Sequence, residues 1–209
     1  MRTRYNAIAG QSVERLAALS DGLFAVAMTL LVLDLKLPVA QGIETDAALL
    51  TALRDLAPRL VVYLMSFLTL GIFWVGQQTQ HTHYARSDRH LTWIHLGFLF
   101  AVTLMPFSTS LIAEFITLRT ALVVYWLNIV ALGALLWAGW RYAVRAGLVE
   151  AAVAEAVDRS VRQRIYIAQG LYAFGAALCV LSTYWSIGFI ILVQLIYVVG
   201  PRTGVLSRI

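Results

Sequence analysis

No charged residue interrupts the chain from Ile165 to Pro201. That run exceeds one ordinary membrane span, which takes about 20 residues. It carries a joint at Ser182-Thr183-Tyr184-Trp185-Ser186 and therefore reads as two helices, 164–182 and 185–201, with Trp185 near a membrane interface. Four further apolar runs precede it, at about 15–35, 59–79, 91–114 and 120–142. Backbone polar groups in lipid must be satisfied within the segment, which favours helices. The expectation is an all-α, polytopic membrane protein: one transmembrane domain, 1–209, with six transmembrane helices. Only 13% of the residues are charged, and a water-soluble domain of this length carries more.

The connecting stretches agree with that plan. Arg2 and Arg4 lie in a short basic lead. The first apolar run is long and ends in no convincing Ala-x-Ala-like site, so no cleavable signal peptide is expected. Lys36, Pro38 and Gly42 end the first span. Thr45 or Asp46 then caps a short helix whose Leu49, Leu50, Leu53 and Leu56 share one face, as in a helix lying at the interface. Pro58 opens the second span, and Pro106 kinks the third or ends its regular part. Residues 141–164 are charged and Ala-rich and read as a cytoplasmic helix and turn. The net charge of +5 does not imply nucleic-acid binding, because the arginines flank apolar runs rather than forming a basic face. Lysine and arginine divide 12 to 4 between the two sides of a six-span chain, which predicts that both termini are cytoplasmic. The single cysteine, Cys179, cannot form an intrachain disulfide.

The first span carries charge where a membrane helix normally has none. Only Gly22 to Leu33 separate Asp21 from Asp34, about 18 Å of helix against a hydrocarbon core of roughly 30 Å. A carboxylate at that depth faces protein or a water-filled cavity. At about 100° per residue, Val26, Thr29, Leu30 and Leu33 share one face, with Gly22 close to it, while Asp21 points about 140° away from Val26. Periodicity alone reads the Val26–Leu33 stripe as ordinary helix packing. Asp21 is then placed to pair with another helix or with Arg15.

The stretch Arg15-x-x-x-Leu19-Ser20-Asp21-Gly22, followed by Phe24-Ala25-Val26-Ala27-x-Thr29-Leu30-Leu31-Val32-Leu33, resembles the first-helix signature of the transmembrane-175 potassium channel family. The family pattern has Phe where this chain has Leu19. Ser66-Phe67 through Phe73-Trp74 and Leu104-Met105-Pro106-Phe107-Ser108-Thr109 support the resemblance. It implies a potassium-permeable channel, a homotetramer in which the first helices surround the pore. Carried over, Val26, Leu30 and Leu33 form the constriction and Thr29 is the selectivity hydroxyl. No Thr-Val-Gly-Tyr-Gly-type filter occurs. Arg15, Ser20 and Asp21 are expected to form a structural network with Trp74 and the polar positions after it. Gln77 and Gln78 stand there in place of the family's histidines and do not titrate near neutral pH.

Other polar residues are candidates on their own chemistry. His81-x-His83 with His90 is a weak metal-site pattern, lacking nearby Cys or acidic spacing. His95 reads as a hydrogen-bonded packing histidine or a proton relay, and Glu114 as an outer-end residue that is solvated or attracts cations. No Gly-x-Ser-x-Gly element, phosphate-binding glycine loop or other enzyme constellation appears, and no cofactor or metal is expected. The expected partners are K⁺, membrane lipid and further copies of the chain, with no nucleic acid. Two other functions are compatible with the residues: a proton-conducting channel or secondary transporter using Asp21 and His95, and a non-conducting membrane scaffold.

Overall fold

The computed structural model describes residue 10, residues 12–36 and residues 43–200. The expectations placed on Arg2, Arg4, Pro38, Gly42, Pro201, Arg202 and Arg208, and the positions of both termini, lie outside the described residues. Helix α1 (Val13–Leu30) starts where the Ser12 hydroxyl accepts from the Arg15 N–H at 3.2 Å. Its end tightens into a 3-10 turn, Leu31–Asp34. Residues i and i+3 eclipse in that geometry, which stacks Leu33 over Leu30. In α2 (Asp46–Asp55) the cap is Thr45, whose hydroxyl accepts from the Ala48 N–H at 3.2 Å. No side chain of α2 is buried, which suits a helix lying at an interface.

Helix α3 (Ala57–His81) has Pro58 in its first turn, where no N–H is needed. The third apolar run is two helices, α4 (Arg89–Thr103) and α5 (Met105–Glu114). Helix α6 (Arg119–Arg145) ends near Gly147, whose φ of 64° a side chain would strain. Helix α7 (Ala151–Ala177) and α8 (Thr183–Val199) close the chain, joined through a 3-10 turn at Leu178–Val180. Four stretches are long and apolar enough to cross a membrane by length and composition: Val13–Leu33, Ala57–His81, Arg89–Glu114 and Arg119–Arg145. Helix α8 is apolar but shorter. The sequence starts the fifth span near 164, whereas α7 begins at Ala151. Its charged half and its apolar half are one helix, because nothing between them is Gly or Pro.

Helix α1 packs against α3 and α4; α6 packs against α4, α5 and α7; α8 closes against α3 and α7. The break at Leu104 follows from Pro106, which has no N–H and whose ring clashes with the carbonyl four residues back. Asn128 of α6 splints it. With the amide turned to satisfy both its ends, its nitrogen donates to the Ala101 carbonyl at 3.0 Å. Its oxygen accepts from the Met105 N–H at 3.3 Å and from the Ser108 hydroxyl at 3.1 Å.

Two cores result. The larger is apolar, around Phe24, Met65, Phe98 and Ile129, with a polar seam through it. In that seam Thr69 gives its proton to the Met65 carbonyl (2.9 Å), so its oxygen accepts from Tyr125 (3.0 Å) and from the Gln194 amide (2.6 Å). Thr109 and Ser66 are 2.8 Å apart beside it. The smaller core joins Tyr84, Leu91, Trp140 and Val149, where Tyr84 stacks on Trp140 and the Trp140 indole donates to Asp158 at 2.9 Å.

Candidate functional site

Helix α1 presents three differently occupied faces. Leu16, Ser20, Phe24, Ala27 and Leu31 are buried against the chain's own core, with Phe24 beside Phe98. Ser20 is 2.9 Å from His95 Nε2, which also lies 2.7 Å from the Gln77 amide nitrogen. The Ser20 hydroxyl also lies 2.8 Å from the Leu16 carbonyl of its own helix, to which it donates. The His95 ring packs 4.6 Å from that of His81. These polar groups tie α1, α3 and α4 together in the interior.

The second face carries Asp21. Its Oδ1 accepts from the Trp74 indole at 2.8 Å and from the Gln78 amide. Trp74 and Gln78 are one helical turn apart and present to the same side of α3. The network expected from sequence is thus divided into two. Gln77 is turned about 100° from Gln78 and joins Ser20 and His95, not Asp21. Arg15 joins neither, since six residues of helix turn it about 120° from Asp21. Its guanidinium makes no hydrogen bond or ion pair among the described residues. His95 completes the inner cluster, and the signal for it was an ionisable side chain in an otherwise uncharged run.

The third face is largely exposed among the described residues. Val26, Leu30 and Leu33 are 53%, 43% and 69% exposed, and Thr29 is exposed beside them. A Cβ added at Gly22 would meet nothing within 4 Å. The Thr29 hydroxyl gives its proton to the Val26 carbonyl at 2.8 Å, leaving the oxygen with acceptor lone pairs only. The remaining candidates are dispersed. His83 bonds the Thr79 carbonyl, His90 lies against Tyr142, and His81 points inward, so these three histidines do not converge. Glu114 forms an ion pair with Arg59 at 2.7 Å.

The family model described as endosomal/lysosomal potassium channel TMEM175 matches residues 15–106. A protein named as a potassium channel from Streptomyces collinus is 34% identical over 194 residues, covering 90% of this chain and 84% of the relative. Another from Chamaesiphon minutus, also named a potassium channel, is 33% identical over 179 residues, covering 83% of this chain and 87% of that one. The fold is similar to the crystal structure of a lysosomal potassium-selective channel TMEM175 homolog from Chamaesiphon minutus. The TM-score is 0.77 at 29% identity, over 90% of this chain and 96% of that chain.

Proposed function

This chain belongs to the TMEM175 family, and on that premise we propose that it is the subunit of a potassium-permeable channel whose α1 helices, one from each of four copies, surround the ion path. The observation that carries this reading is the unused face of α1. Ala27 and Leu31 are consumed by the subunit's own core, while Val26, Leu30 and Leu33 remain exposed. One helix cannot enclose a pore, so the reading requires assembly. An aliphatic ring at Leu30 and Leu33 excludes water when narrow, and a ring of Thr29 oxygens offers ligands to a partly dehydrated cation. The inner cluster of Ser20, His95 and Gln77 and the bonds from Trp74 and Gln78 to Asp21 hold α1 in register with its own subunit. The relatives from Streptomyces and Chamaesiphon carry the name potassium channel, which supports the same ion.

The test is the purified full chain in planar bilayers between K⁺ and Na⁺ solutions. The expected result is unitary current whose reversal potential lies toward the K⁺ equilibrium potential. Vesicles with verified protein insertion but no cation flux above protein-free vesicles refute the reading and favour the scaffold. Sidedness has its own expectation. Lysine and arginine divide 12 to 4, so both termini face the cytoplasm, and a reporter fused after Ile209 is active only inside the cell. A reporter active only outside inverts the topology.

A further inference from the structure

We propose that the groove between α3 and the α7–α8 pair binds an anionic phospholipid, its phosphate on Arg164 and an acyl chain lying over Gly71. The groove encloses about 460 Å³ and is apolar apart from Arg164 and the polar tips of Trp74 and Tyr197. Arg164 is the last charge before the uncharged run that begins at Ile165, so it sits where that apolar run meets the membrane surface. Its guanidinium stacks 5.6 Å above the Tyr197 ring, and no carboxylate lies within 4.0 Å of it among the described residues. The Tyr197 hydroxyl beneath it is buried without a hydrogen-bond partner among the described residues. An exposed, fixed guanidinium is matched by a phosphate diester, which accepts from its paired N–H groups.

The rest of the groove is shaped for a chain. Leu68 and Ile72 form its α3 wall, and Val198 its α8 wall. A Cβ at Gly71 would meet nothing within 4 Å, so the missing side chain leaves an open channel floor. A second protein copy would need a carboxylate placed opposite Arg164 to match its charge. A lipid supplies the anion and the apolar tail in one molecule. Met28 of α1 forms part of the groove, so the occupant touches the proposed pore helix. Binding is read by mass rather than by current, and so stands or falls separately from the channel reading.

The experiment is native mass spectrometry of the full chain released from detergent with dioleoyl phosphatidylglycerol or dioleoyl phosphatidylcholine. The expected result is preferential retention of phosphatidylglycerol, reduced about five-fold in Arg164→Gln, the worth of one arginine at an anionic surface. Arg164→Lys restores part of that retention. Arg159→Gln, an exposed arginine of the same helix away from the groove, leaves it unchanged. Gly71→Leu fills the floor and lowers retention of both lipids at constant oligomer mass. Equal retention of the two lipids by the unaltered chain overturns the proposal, as does full retention by Arg164→Gln. Gly71→Leu oligomers that dissociate while keeping their lipid assign the groove to a second copy instead.

Discussion

Leu30→Asn channels are expected to leak. On the proposed reading the α1 face at Val26, Leu30 and Leu33 sets whether the narrow segment is wet. An amide at Leu30 removes the dewetting barrier without blocking the path. The expected rise in resting cation flux is roughly tenfold, equivalent to about 1.4 kcal/mol off the barrier. Val26→Asn acts in the same direction. Thr29→Val keeps the volume but removes the hydroxyl that bonds the Val26 carbonyl at 2.8 Å, and it lowers the preference for K⁺ over Na⁺. A face that merely packs predicts the reverse pattern: destabilised Asn variants and an indifferent Thr29→Val. Cysteines placed singly at 26, 30 and 33, in a chain with Cys179→Ser, should be blocked by a water-soluble thiol reagent. Cysteines at 23, 27 and 31 should be unaffected, since Ala27 and Leu31 are buried. Block on neither face, in channels shown to conduct, defeats the pore assignment.

Asp21 gives the second large effect, and its geometry separates Asp21→Ala from Asp21→Asn. Both donors, Trp74 and Gln78, reach the same oxygen, Oδ1. Asparagine offers a carbonyl oxygen in that place and keeps both bonds as neutral ones. Alanine loses both. A hydrogen bond to a charged group contributes roughly 1.5–3 kcal/mol. Asp21 is exposed in the isolated subunit, which puts its pair of bonds at the lower end. The expectation is a loss of about 2–3 kcal/mol for Asp21→Ala and about 1 kcal/mol for Asp21→Asn, read as thermal unfolding of the purified oligomer. Equal losses for the two variants would mean that the charge itself matters, through a partner other than Trp74 and Gln78.

The hydropathy of the chain made its all-helical character and four long apolar stretches legible, because lipid permits so few backbone solutions. The kink at Pro106 and the cap at Thr45 were legible for equally local reasons. What escaped was whatever depends on rotation between helices. Gln77 and Gln78 are adjacent in sequence and chemically identical, yet one faces His95 in the interior and the other Asp21 at the edge. Arg15 belongs to the recognisable motif but points elsewhere, since six residues of helix do not return to the same face. Asn128 showed nothing of its task, because the groups it satisfies are freed by a proline on another helix. The end of α1 also departs from a uniform α-helix, and the 3-10 turn brings Leu33 over Leu30 rather than beside it.

The seam around Thr69 reverses the usual map of mutational tolerance. In a water-soluble protein a buried leucine is among the least replaceable residues, because water drives its burial. Lipid tails are as apolar as leucine, so that drive is missing between helices here. Exchanges among aliphatic residues of like size at Leu70, Leu99 or Ile129 lose only contact quality. Thr69 has almost the volume of valine, yet Thr69→Val strips partners from Tyr125 on α6 and Gln194 on α8 together. Each such interhelical bond contributes about 0.6–2 kcal/mol in a membrane. The substitution that looks most conservative by size is therefore the one that unties three helices at once.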